Sequence, residues 1–318
     1  MNVDNIKRIG NIGAGTMGHA TALQFAMNGY PVVLVDNDQK ALDRGISLIE
    51  HDLDTFIEAG LVPADQRAAV LARIEATTDY EAFKDVDFVI ESILEDLDLK
   101  HRVWAQVESI VSDEAILATN TSGLSPTTIA AGLKNPARFV VAHFYNPAQL
   151  MPLVEVVPGK QTSQETVEAT VALMNKIGKH AVPLKVEAPG FVGNRIQAAV
   201  MRECFNIVDR GIASPEAVDD VVKYSLGRRW SILGPMASAD LGGLDIFYAI
   251  SSYLPADLDN STGKSELLRK KVEAGELGAK SGQGFYSWQG SAGQDIIKSR
   301  DHQLLAALQR DAQEGSAQ

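Results

Sequence analysis

The stretch "IKRIGNIGAGTMGHATALQFAMNGYPVVLVDND", residues 6–38, decides the fold. A short β-branched run ends in glycines, an apolar segment of helical periodicity carries the chain to Gly29, and "PVVLVD" follows as a second strand. Gly13, Gly15 and Gly18 form G-x-G-x-x-G in the turn between strand and helix. The first glycine permits a tight turn, the second lets backbone approach a pyrophosphate, and the third lets helix pack on strand. With Ala14, Thr16 and Met17 the loop is expected to cradle the phosphates on the unpaired N–H groups of the helix N-terminus. Asp36 ends the second strand, where a carboxylate can accept hydrogen bonds from an adenosine ribose. It would repel a 2′-phosphate, and Asn37, Asp38 and Gln39 supply no arginine, so the expected cofactor is NAD rather than NADP. FAD, which uses similar loops, is the minor rival.

Outward from this unit, strand-like runs alternate with helical stretches up to about residue 186: "VDFVIES", "AILATN", "RFVVAHF", "PLVEVV" and "HAVPLKV". The alternation predicts an α/β parallel sheet. The stretch "TSQETVEATVALMNKIG" predicts a helix capped by Thr162 or Ser163 and stopped at Gly178. After "EAPG", residues 187–190, strands vanish and helical periodicity dominates, with Ser214 and Pro215 opening one helix. The expected organisation is a Rossmann-like dinucleotide-binding domain over residues 1–187, followed by an all-α domain over residues 188–318. Residues 288–301 resemble a surface connection, and residues 310–318 a frayed tail.

With 318 residues, 45% of them hydrophobic, the chain can bury the cores of two domains. A net charge of −12 argues against a nucleic-acid partner, and no apolar run reaches the length of a membrane helix. Neither signal-peptide pattern nor metal-ligand cluster is evident, so a cytoplasmic, metal-free protein is expected. The single cysteine, Cys204, lies in a helical pattern and is expected to pack there.

The stretch "HFYNPAQLMPLVEVV", residues 143–157, raises a question of charge. Glu155 stands in a run apolar enough for a buried strand, where an isolated carboxylate is very costly. The residues alone leave two readings open: a functional pair with His143, or a strand-end histidine beside an unrelated salt bridge.

Seven motifs together, "GAGTMG", "ESILEDLDLK", "NTSGLSP", "HFYNP", "PLVEVV", "PGFVGNR" and "GAKSGQGFY", resemble the NAD-dependent L-3-hydroxyacyl-CoA dehydrogenases over residues 5–288. That family also includes L-carnitine and L-gulonate dehydrogenases, lens lambda-crystallin and a pyridine-ring dehydrogenase of vitamin B6 breakdown. The resemblance implies oxidation of a secondary alcohol and a homodimer formed through the second domain. It makes His143 the catalytic base and Glu155 its partner, with Ser122 and Asn194 as neutral donors at the reacting oxygen. Ser122 and Asn146 are implied at the nicotinamide end of the cofactor, and Glu95, Lys100 and Lys280 as further NAD contacts.

Two departures bear on the substrate. Members acting on CoA esters carry a serine and then a lysine, which meets a CoA phosphate, after the second strand; Asp52 and Ala59 stand there instead, within 46–62, a segment of four acids and no lysine or arginine. The stretch "YSLGRRWSILGP", residues 224–235, resembles the carnitine- and gulonate-type members, in which an arginine and an aromatic precede the G-P; Arg229 could receive a free carboxylate, with Trp230 walling the pocket, or make an interdomain ion pair. A small free hydroxy acid is therefore expected slightly ahead of a short-chain L-3-hydroxyacyl-CoA, toward which "HFYN" points. A non-catalytic NAD-binding protein is the distant alternative.

Overall fold

The computed structural model describes residues 3–315. Contacts divide it into two units, one running to Val192 and resuming at Ser299, the other Gly193–Lys298.

The first unit begins with β1 (Ile9–Ile12), α1 (Gly18–Met27), β2 (Val32–Val35) and α2 (Gln39–Glu58). It continues through α3 (Arg67–Leu71), β3 (Ile74–Thr77), β4 (Phe88–Glu91), α4 (Leu97–Ile110), β5 (Ile116–Thr119) and α5 (Pro126–Ile129). Then come β6 (Phe139–Phe144), β7 (Leu153–Pro158), α6 (Gln164–Lys176) and β8 (His180–Pro183). The eight strands form one sheet in the order β3-β2-β1-β4-β5-β6-β7-β8. Chain order reverses at β1 and β4, so their C-terminal ends frame the crevice in which open α/β sheets bind ligands.

β1, β2, β4 and β5 are buried at every position, as a sheet covered on both faces requires. Helix α2 buries Leu42, Gly45, Ile49, Leu53 and Phe56, an apolar stripe at helical spacing. Ser163, rather than Thr162, caps α6, its Oγ accepting from Thr166 N–H at 3.1 Å.

Three sequence expectations are corrected. The sheet is not wholly parallel: β7 runs antiparallel to β6, because the short Tyr145–Pro152 connection makes a hairpin-like return rather than a helical crossover. β3 was absent from the expected strands; "IEAT" lies at the sheet edge, half exposed, and lacks the apolar run of its neighbours. Residues 288–301 are no surface connection, since α12 (Ala292–Gly315) spans most of that stretch and much of the presumed tail. The part of α12 from Ser299 onward belongs with the first unit. Leu304, Leu305 and Leu308 of α12 pack with Phe56 and Leu150, a long-range gain that local glycines such as Gly290 and Gly293 concealed.

The second unit contains α7 (Gly193–Asp209), α8 (Pro215–Val221), α9 (Gly227–Gly242), α10 (Leu244–Ser251) and α11 (Glu266–Glu273). Ser214 caps α8, and a π-helical turn over Val222–Leu226 leads into α9. α9 is interrupted at Gly234, whose φ of 70° lies outside the helical region, just before Pro235. Cys204 is half-buried on α7, and burial raises its thiol above the ordinary range.

Candidate active site

The glycine loop meets the geometric demands of a pyrophosphate cradle. Gly13 has φ 93°, and a Cβ there would lie 2.6 Å from Ser92 O. A Cβ on Gly18 would lie 1.9 Å from Gly13 O, so helix and turn meet too closely for any side chain. A Cβ on Gly15 would meet nothing within 4 Å, which leaves the backbone open to a ligand. Asp36 Oδ2 accepts from Ala14 N–H at 2.9 Å, tying the end of β2 to this loop, while Oδ1 accepts from Asp38 N–H at 3.1 Å.

Behind the loop lies a cluster that the sequence reading missed. His19, buried on α1, places Nδ1 2.8 Å from Gly15 O and Nε2 3.2 Å from Asp52 Oδ2. Both partners normally accept, so each ring nitrogen faces an acceptor. Gln149 Nε2 also donates to Asp52 Oδ2, at 2.8 Å. Asp52 is therefore tied inward, and its neighbour Asp54 pairs with Arg67 at 2.6 Å, so two of the four acids counted on α2 are compensated.

Beyond β4 and β5, one carboxylate organises the turn. Glu95 accepts from Thr121 Oγ1 at 2.8 Å and from Ser122 N–H at 2.8 Å, and Ser122 Oγ reaches it at 3.3 Å. Lys100 is 1% exposed; its ammonium donates to Glu91 at 2.6 Å and lies 3.5 Å from Glu95. Lys100 thus stands behind Glu95, in a buried ion pair. Glu91, another residue missed from sequence, also accepts from Thr119 Oγ1 and Ile93 N–H, both at 2.8 Å. Its signal was an acid closing the apolar run "FVIE".

His143 and Glu155 occupy directly opposed positions of the antiparallel β6–β7 pair. Nδ1 of His143 lies 3.0 Å from Glu155 Oε2, and both side chains are nearly fully buried. A carboxylate in that place accepts, so Nδ1 carries the proton and Nε2 presents a lone pair. Glu155 also accepts from the Tyr145 hydroxyl at 3.0 Å and from Val192 N–H at 3.0 Å. The acid in an apolar strand is therefore compensated by convergent donors. Tyr145 was not singled out from the sequence, although it lies two residues beyond His143, the spacing that returns to one face of an extended chain. Its ring and that of Phe191 lie 4.6 and 5.5 Å from the imidazole, centroid to centroid. Phe191 holds this position at φ 52°, uncommon for a bulky residue.

Asn146 follows at the start of the β6–β7 connection, joined to Pro147 by a cis peptide bond. Lys179 clamps the same connection, donating to Ala148 O at 2.7 Å and Met151 O at 3.0 Å. Four of the expected site residues belong to the second unit. Asn194 is half-buried in the first turn of α7, and Lys280 is exposed in the turn after α11. Arg229 is exposed and Trp230 half-buried on the first turn of α9. Among the described residues, Arg229 makes no ion pair within its unit.

Comparison with known proteins matches residues 8–187 to the NAD binding domain of 3-hydroxyacyl-CoA dehydrogenase, and residues 190–288 to the C-terminal domain of the same enzyme. The chain belongs to the 3-hydroxyacyl-CoA dehydrogenase family. It is thus an NAD-dependent dehydrogenase of the kind that acts on CH–OH groups. A probable 3-hydroxybutyryl-CoA dehydrogenase of Deinococcus radiodurans is 42% identical over 283 residues, 88% of this chain and 100% of that protein. A 5-formyl-3-hydroxy-2-methylpyridine 4-carboxylate 5-dehydrogenase of Mesorhizobium japonicum is 32% identical over 302 residues, 95% of this chain and 97% of that protein. A crystal structure of an enzyme with that pyridine-carboxylate activity, described as an NAD+ dependent dismutase, superposes with a TM-score of 0.89 at 33% identity, over 95% of this chain and 97% of the other.

Proposed function

We propose that the protein oxidises the hydroxyl of a small free hydroxy acid, of carnitine, gulonate or pyridine-carboxylate type, to the oxo product. His143 Nε2 takes the hydroxyl proton while the carbinol carbon gives up its hydride and the carbonyl forms. NAD, when bound, supplies the hydride acceptor. Glu155 holds the Nδ1 proton in place and stabilises the imidazolium as it forms. Ser122, oriented through Glu95, and Asn194 are the neutral donors proposed for the reacting oxygen. The glycine loop and Asp36 are proposed to hold the adenosine half of the cofactor, with Glu95, Asn146 and Lys280 toward the remainder; Lys100, 1% exposed behind Glu95, supports that carboxylate and does not itself reach the cofactor.

The observation that carries the free-acid reading is what covers the end of α2. Ala59 stands where a lysine meets a CoA phosphate in ester-binding relatives, and here α12 lies against it: Gln309 donates to Ala59 O, and Leu305 packs beside Phe56. The family match ends at residue 288, before α12, whereas the pyridine-carboxylate relative aligns over 95% of this chain. Arg229, exposed and unpaired within its unit, is proposed to receive the carboxylate, with Trp230 beside it. The 42% identity to a 3-hydroxybutyryl-CoA relative favours a second reading, a short-chain 3-hydroxyacyl-CoA substrate.

We further propose a cytoplasmic homodimer joined through the second unit. Ile232, Met236, Leu241 and Tyr248 there are 76–82% exposed, an apolar surface that a second copy would cover.

The deciding experiment assays NAD reduction with paired free acids and CoA esters, including 3-hydroxybutyrate, carnitine, gulonate and pyridine carboxylates. A free acid is expected to show the higher kcat/KM, and Arg229→Met to lower it roughly thirty- to several-hundred-fold, the size of a lost charged hydrogen bond. Preference for the CoA ester, with Arg229→Met indifferent, would establish the second reading instead.

A further inference from the structure

We propose that Tyr145 is a positioning residue for the His143 base: its hydroxyl shares Glu155 Oε2 with the imidazole Nδ1 proton and so tempers the proton affinity of the ring. The inference rests on the reading of His143 as the base.

Two donors meet one carboxylate oxygen, His143 Nδ1 at 3.0 Å and the Tyr145 hydroxyl at 3.0 Å, while Oε1 takes Val192 N–H. A carboxylate oxygen that already accepts a neutral hydrogen bond carries less negative charge toward a second donor. Glu155 therefore stabilises the imidazolium less than it would with His143 alone on Oε2. Tyr145 is a donor and no acid here. Burial, then the charge of Glu155 and the shared hydrogen bond, hold its phenol well above the ordinary range, so it stays protonated throughout the working pH range. Glu155, from β7, and Tyr145, from the connection after β6, are titratable groups against the imidazole, and the segment before α7 presents the uncharged ring of Phe191.

This arrangement has an outcome of definite sign. Alcohol oxidation needs neutral His143, so the rate rises with pH as the ring loses its proton. Tyr145→Phe keeps the aromatic ring and removes one donor from Glu155 Oε2, which then carries more negative charge toward the imidazole and favours its protonated form. The rising limb of kcat/KM is expected to move to higher pH. Glu155→Gln, which removes the anion itself, moves the limb downward.

The test measures kcat/KM against pH for parent, Tyr145→Phe, Glu155→Gln and His143→Ala, with NMR titration of the His143 ring in the first two. Opposite displacements for Tyr145→Phe and Glu155→Gln support the inference. An unmoved limb, or one moving down with Tyr145→Phe, overturns it even if activity falls. If Tyr145→Phe turns over too slowly to profile, the titration of the His143 ring decides by the same sign. Substantial activity in His143→Ala would instead overturn the base assignment on which the inference rests.

Discussion

His143 and Glu155 face one another across the antiparallel β6–β7 pair, imidazole Nδ1 to carboxylate Oε2 at 3.0 Å. Opposed residues on one sheet face have neighbouring Cβ atoms, so the pairing is built into the register rather than into flexible side chains. His143→Ala is expected to lower turnover by roughly a hundredfold or more, with NAD affinity nearly unchanged, because a base acts in the chemical step. Single-turnover kinetics and NAD titration check this, and turnover within a few-fold of the parent would refute it.

Cofactor choice should respond to Asp36. Asp36→Ala removes the carboxylate proposed to repel a 2′-phosphate, and it also takes the acceptor from Ala14 N–H. The ratio of kcat/KM for NAD over NADP is expected to fall, chiefly through weaker NAD use with some gain for NADP. A parent enzyme that already prefers NADP would contradict the role given to Asp36.

Lys100→Met should be costly to the fold. It strips the cation from Glu91, which lies at 0% exposure and, among the described residues, keeps Thr119 Oγ1 and Ile93 N–H as its remaining donors. Removing one partner of such a buried pair typically costs about 3–5 kcal/mol. Urea unfolding of the variant measures it, and a loss below about 1 kcal/mol would show that Glu91 is relieved in another way.

Lys179 makes stability depend on pH in a stated direction. Burial pushes its ammonium down to about 7 from the ordinary 10.5. Between those values the unfolded chain binds a proton that the folded chain has released, so this group adds stability as pH rises from about 7 toward 10.5 and loses it on return. The neutral amine still has two hydrogens for Ala148 O and Met151 O. The stability difference between parent and Lys179→Met is expected to widen across that window, as followed by urea midpoints. A constant difference would remove Lys179 as the source.

What depends on short-range geometry is legible in the residues themselves. The turn glycines, the helix that starts on them, the acid closing β2 and the caps at Ser163 and Ser214 are set within a few residues, by backbone conformation and by unpaired N–H groups. Tertiary structure alone decided what depends on segments far apart in the chain. The return of β7 against β6 puts Glu155 and the Tyr145 hydroxyl on one imidazole, and Val192 N–H reaches the same carboxylate from the end of the unit. The burial of Lys100 beside Glu91, and the joining of His19, Asp52 and Gln149, likewise bring together charges that no local pattern relates. Even α12, unremarkable in its own residues, gains its place from Phe56 and Leu150. Buried charges and apolar surfaces are worth only what their neighbours make them, and those neighbours come from register and packing across the chain.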